Sequence, residues 1–228
     1  MKGWLAVYIV LVACVAASDW IDYEDSGTAT MTHYDLPEDY IASCGCVGGS
    51  THYPTAALSQ MAFGSSTAYG PACGRCFNLT LLNTYTAYPP FFPDETKSVV
   101  VKVTDKCPLS QDGWCSGTKD KTNSGGQRLN FDLAYPSDAI SDDFFPSNAS
   151  LYGFTDFGVW NITYEVVTCK DNWAGYDDTS ALGAVDYLGP ESACCPVEPT
   201  GYLDDSCPSY SDHNGIAYVL YIPVIACV

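Results

Sequence analysis

Ser98-Val-Val-Val-Lys-Val-Thr104 is the most strand-like stretch of the chain. β-Branched side chains at Val99, Val100, Val101, Val103 and Thr104 are stiff at χ1 and pack well on a pleated surface, so the segment predicts a β-strand. Phe157-Gly-Val-Trp-Asn-Ile-Thr-Tyr-Glu-Val-Val-Thr168 predicts a second. The sequence around them alternates short β-branched or aromatic runs with clusters of Gly, Pro, Asn and Asp, which is the pattern of an all-β domain. Only Pro54-Thr-Ala-Ala-Leu-Ser-Gln-Met-Ala-Phe63 reads as a helix, with proline at its start, apolar Leu58, Met61 and Phe63, and Gly64 as the stop. No internal repeat is visible.

The N-terminus has the composition of a secretory signal: Lys2, an apolar run, then the small residues Ala16-Ala17-Ser18. Ser18-Asp19 interrupts the run too early for a membrane span, which needs about 18–20 apolar residues. The expected organisation is a signal over 1–17, a loose acidic leader over 18–30, a β domain over 31–175 and a cysteine-containing extension over 176–228. The apolar end, Ile216-Ala-Tyr-Val-Leu-Tyr-Ile-Pro-Val-Ile-Ala-Cys-Val228, reads either as a final core strand or as a removed lipid-anchor signal.

Of twelve cysteines, eleven remain once Cys14 leaves with the signal, so disulfides in an oxidising compartment are expected, with one thiol left over. Cys73-Gly-Arg-Cys76 reads as structural rather than redox-active in that setting. The formal charge of −18, or −19 without Lys2, argues against nucleic-acid and anionic-membrane partners. It suits an uncharged substrate, or simply solubility outside the cell. Asn78-Leu-Thr80, Asn148-Ala-Ser150 and Asn161-Ile-Thr163 are N-glycosylation sequons. His33, His52 and His213 are dispersed, without metal-ligand spacing. No Gly-Xaa-Ser-Xaa-Gly motif points to a serine hydrolase. No cofactor is called for, and a monomer is expected.

Two carboxylates draw attention. In Leu129-Asn-Phe-Asp-Leu133 the period of two puts Leu129, Phe131 and Leu133 on one face and Asn130 and Asp132 on the other. Asp132 is then either an ordinary solvent-facing side chain or a site residue. Continuing the alternation of Val99, Val101 and Val103 puts Asp105 on the apolar side, as a catalytic group or as a structural cap on the turn that follows. The Gly/Asn/Ser-rich loop 116–126 lies between them in sequence and can shape a groove. Trp160 reads as a core residue, whereas Trp173 reads equally as core or as a sugar-stacking platform.

The order Leu58-Ser-Gln-Met-Ala-Phe-Gly64, Ala72-Cys-Gly-Arg-Cys-Phe77, Val99-Val-Val-Lys-Val-Thr-Asp-Lys-Cys-Pro108, Thr122-Asn-Ser-Gly-Gly126 and Asn130-Phe-Asp132 resembles glycoside hydrolase family 45 endoglucanases, in particular their fungal, expansin-related branch. The resemblance spans Thr32 to Trp173. It implies a secreted, six-stranded double-psi β-barrel with an open cleft that hydrolyses β-1,4-glucan with inversion. It places the general acid on Asp132 and a water-handling asparagine on Asn123, with Asp105 as a supporting carboxylate and Thr32, Tyr34, Asn130 and Trp173 as substrate-binding candidates. The family's first-strand aspartate is replaced by Leu36, and its second asparagine by Gln111 or Asp112, so Asp112 is the alternative base. Asn130 stands where a histidine usually precedes Phe-Asp. The same motifs occur in non-hydrolytic expansin- and loosenin-like glucan binders, the alternative reading.

Overall fold

The computed structural model describes residues 20–37, 40–46, 53–66, 70–109, 113–170, 172–176 and 178. Within them six strands close into a barrel: β1 (Ser26–Tyr34), β2 (Thr55–Ser59), β3 (Cys76–Thr84), β4 (Ser98–Cys107), β5 (Asn130–Ala134) and β6 (Trp160–Val167). Their spatial order is β1-β5-β2-β4-β3-β6. The pairs β1/β5 and β2/β4 are parallel; the others are antiparallel. This is the expected double-psi β-barrel. Two single-turn helices, α1 (Gln60–Phe63) and α2 (Ala149–Tyr152), lie outside the sheet.

The period of two fills the barrel from alternate positions. Met31, Leu58, Phe77, Leu79, Val101, Val103, Phe131, Leu133 and Ile162 are all fully enclosed. Met31 and Leu58 flank Phe131 in one row, and the Phe77 ring meets Phe131 edge-on at 5.0 Å. Each large apolar side chain buried here contributes about 1.5–3 kcal/mol. Trp160 joins the same core, as read from the sequence.

The helix expected over 54–63 is largely a strand. Thr55–Ser59 is buried along its whole length and hydrogen-bonds to both β4 and β5. Pairing on both edges outweighs helix propensities that differ by only about half a kcal/mol per residue. Only Gln60–Phe63 completes a turn, which ends at Gly64 in the left-handed conformation (φ 89°). The leader boundary also moves. Trp20 and Ile21 are buried, Ile21 N donates to Met61 O (2.8 Å), and β1 already starts at Ser26.

Disulfides join Cys44 to Cys73, Cys76 to Cys169 and Cys107 to Cys115, and Cys46 is also disulfide-bonded. Cys73 and Cys76 thus pair with separate distant partners, the structural role expected of them. The signal and the C-terminal apolar stretch lie outside the described residues, as do His52, His213, Gln111 and Asp112.

Candidate active site

The outer faces of β1, β5, β2 and β4 form one continuous surface. Strand registers align Thr32, Asp132, Ala57 and Asp105 in a single row across these four strands. Asp105 is there because of a β-bulge. Ala56 pairs with Val103 and Ala57 with Asp105, so Thr104 is an extra residue and the alternation reverses after it. The sequence expectation that Asp105 faces the apolar interior is therefore corrected: it shares a face with Asp132. With one strand between them, their Cα atoms stand about 10 Å apart. The buried Cys107–Cys115 disulfide packs on Ala57, between the two carboxylates, with Tyr34 beside it.

The two aspartates differ in their surroundings. Asp105 is only 5% exposed. Its Oδ1 accepts from Ser43 N (2.9 Å), Ser43 Oγ (2.6 Å) and Lys106 N (2.8 Å), and its Oδ2 accepts from the Tyr34 hydroxyl (3.2 Å). Asp132 is partly open and accepts from Thr32 Oγ1 at 2.6 Å. Burial pushes the Asp132 carboxyl above its ordinary value, and the charge of Asp105 adds to the rise; the Thr32 hydrogen bond and nearby His33 pull it part of the way back. A partly open carboxyl with a raised pKa can carry a proton and give it up. Burial and the two carboxylates together keep the Tyr34 phenol protonated, so it serves as a donor.

Behind Asp132 runs a one-way chain of hydrogen bonds. Asn123 Nδ2 donates to Thr30 Oγ1 (2.8 Å), Thr30 Oγ1 to Asn130 Oδ1 (2.7 Å), Asn130 Nδ2 to Thr32 Oγ1 (3.0 Å), and Thr32 Oγ1 to Asp132. Bonds aligned in one sense polarise one another toward the carboxylate at the end. Asn130 is a fully buried relay between two threonines. Its place is behind Asp132 and not at the surface where a substrate was expected to meet it.

Asn123 is also buried, and its amide is fully engaged. Nδ2 donates a second time to Trp114 O (2.9 Å), while Oδ1 accepts from Gly125 N (2.9 Å) and Gln127 N (3.1 Å). It locks the loop to β1. Trp173, the other substrate candidate, is 1% exposed. Its Nε1 donates to Pro54 O (2.7 Å), and its ring packs on Tyr53 and covers Lys102 Nζ at 4.2 Å. Burial takes Lys102 down to about 7. Trp173 closes the barrel next to the Cys76–Cys169 disulfide and offers no platform.

Other aromatic side chains, not singled out by the sequence, have ring surface near the loops around the row. Tyr40 is 48% exposed and stands close enough to Asp105 for that charge to raise its phenol pKa. Half-buried Trp114 meets Tyr85 edge-on at 5.3 Å, and the Tyr85 hydroxyl donates to Ser124 O (2.7 Å). The available signal was position: Trp114 directly precedes the loop-closing Cys115.

The model of the EXPB1-like domain 1 family matches residues 29–175. The chain belongs to this expansin-related family. Among solved structures, the expansin-related barrel resembles a mutant of the GH45 endoglucanase EG27II in complex with cellobiose, with a TM-score of 0.50 and 20% identity over 74% of this chain and 94% of that one. It also resembles the β-1,4-D-endoglucanase Cel45A of the blue mussel Mytilus edulis, with a TM-score of 0.48 and 25% identity over 70% of this chain and 87% of that one. No curated protein matches it. The first likeness establishes the shared fold.

Proposed function

We propose that the chain is a secreted endo-β-1,4-glucanase acting on cellulose or mixed-linkage β-glucan with inversion, in which Asp132 is the general acid. The observation that carries this is the environment of Asp132: partly open, raised by burial, and held by Thr32 at the end of the polarised chain. The barrel is also that of a GH45 endoglucanase seen with cellobiose. Inversion needs a second group on the far side of the sugar that activates water. Among the described residues Asp105 is buried behind four donors and Asn123 is saturated. The reading therefore gives the base to Asp112, which lies in sequence between the disulfide-bonded Cys107 and Cys115. Tyr34 and Thr32 orient the carboxylates, residues 31–175 form the catalytic domain, and 176–228 are an appended segment.

A non-hydrolytic glucan-binding or wall-loosening role is the second reading. What favours it is that Asp132 is the only carboxylate of the row, among the described residues, that is open to the surface. Release of reducing ends from barley β-glucan and amorphous cellulose, compared between wild type, Asp132→Asn and Asp112→Asn, separates the two. Loss of release in both variants supports the hydrolase. Binding of glucan with no release by wild type supports the second reading, and equal release by wild type and Asp132→Asn removes Asp132 as the acid.

A further inference from the structure

We infer that Asn78, Asn148 and Asn161 carry N-linked glycans, attached outside the four strands that hold the Asp132 row. The described residues contain seven asparagines, and their amide nitrogens fall into two groups. Asn83, Asn123, Asn130 and Asn172 each donate through Nδ2 to a protein acceptor. Among the described residues, the Nδ2 of Asn78, Asn148 and Asn161 has no hydrogen-bond acceptor, and these three are the sequon asparagines. A motif match alone is weak. Here the motif coincides with the one atom that the modification consumes being left open.

Their places in the fold fit a glycan. Asn78 and Asn161 alternate with the enclosed Phe77, Leu79, Trp160 and Ile162, so both project from the outer surfaces of β3 and β6. The sequon threonines Thr80 and Thr163 are opposite one another in the register, and Asn78 pairs with Glu165, four residues along β6 from Asn161. That separates the two asparagines by about 14 Å, room for two sugar chains on one face. Asn78 also borders an open groove of about 500 Å³ whose lining includes Ser26, Thr28, Thr80 and Thr163, hydroxyl-bearing side chains suited to a sugar's first residues. Asn148 is exposed at the start of α2, where its Oδ1 accepts from Ser150 Oγ (2.7 Å) and Leu151 N (3.1 Å), pointing Nδ2 away from the turn. None of the three lies on β1, β5, β2 or β4.

The chemistry is one group transfer. The Asn Nδ2 forms a bond to C1 of an oligosaccharide donor linked to a lipid pyrophosphate; the C1–O bond to phosphate breaks, the lipid pyrophosphate leaves, and the amide loses one proton. The step needs the secretory route read for residues 1–17 and does not depend on the catalytic reading.

The full chain, secreted by a eukaryotic host, should drop in mass on peptide-N-glycosidase F digestion. Digestion in ¹⁸O-water should leave labelled aspartate at positions 78, 148 and 161 and at none of the other five asparagines of the full chain. Asn78→Gln, Asn148→Gln and Asn161→Gln should each remove one glycan, and Thr80→Ser or Thr163→Ser should retain it. If the native leader fails to export the chain, the same digestion of chain carried by another secretory leader decides the point. No mass change on digestion, or label confined to other asparagines, overturns the inference.

Discussion

Asp132 on β5 and Asp105 on β4 face the same side of the barrel wall, with only Ala57 between them in their row, yet one is open and the other enclosed by four hydrogen-bond donors. Asp132, raised by burial, is the one suited to enter the reaction protonated. Asp105 is fixed in place and holds Tyr34 and Ser43 around it.

Asp132→Asn should abolish reducing-end release and also stabilise the protein near neutrality. The folded chain holds the Asp132 proton more tightly than the unfolded chain, because the folded pKa lies above the ordinary value of 3.8. Its contribution to stability is therefore full below that value and is lost as pH rises through the folded pKa. Asparagine removes this loss and keeps an acceptor for Thr32. Thermal melts should show the variant above wild type at pH 7, by about 2–4 °C for each kcal/mol gained. The gap should close at pH 3 to 4. A variant less stable at pH 7 than wild type would contradict the burial account.

Thr32→Val removes the last donor of the chain to Asp132. A hydrogen bond to a charged acceptor contributes about 1.5–3 kcal/mol, so the Asp132 pKa should rise by about one unit or more. Activity requires the protonated acid, so the alkaline limb of the pH–rate profile should move to higher pH, from a wild-type optimum on the acidic side. Thr32→Ser should restore the wild-type limb. A purely structural role for Thr32 would lower activity at every pH without moving the limb.

Asn123→Ala tests loop locking against water handling. Four hydrogen bonds from a buried amide are lost, and groups such as Gly125 N and Gln127 N lose their acceptor. The expected cost is about 2–4 kcal/mol, read as a melting temperature lower by roughly 5–15 °C. Activity measured well below the melt should then be reduced rather than abolished. A variant that melts like wild type and has lost all turnover would make Asn123 a catalytic group.

Much of this was legible in the sequence, for identifiable reasons. Val99–Val103 and the 157–168 stretch announced β4 and β6 because β-branched alternation is a local property. Asp132 was assigned to the outer face because β5 has no bulge. Asp105 was misplaced because a bulge at Thr104 is set by pairing with β2, a partner some fifty residues away in sequence, and nothing local marks it. β2 reads locally as part of a helix because Pro54 suits a start, Leu58, Met61 and Phe63 supply apolar positions and Gly64 suits a stop, while its two neighbouring strands decide otherwise. The roles of Asn123 and Asn130 depend on which polar atoms meet across 93 and 98 residues of chain. No spacing rule contains that.

The last prediction separates the aromatic residues. Trp173 is enclosed and bonded to Pro54, so Trp173→Ala should cost about 3–5 kcal/mol in stability. It should leave glucan affinity of the remaining folded protein unchanged. Tyr40 stands near Asp105 and is 48% exposed, and half-buried Trp114 lies against Tyr85, so both have ring surface against which a sugar ring can pack. Tyr40→Ala and Trp114→Ala should each melt within a few degrees of wild type and bind β-glucan more weakly, by about 5- to 30-fold for an aromatic contact of 1–2 kcal/mol. Affinity electrophoresis in β-glucan gels reads the two effects apart. Retarded migration that is lost with Trp173→Ala at full folding, and kept with both other variants, would move the sugar-binding surface away from the Asp132 row.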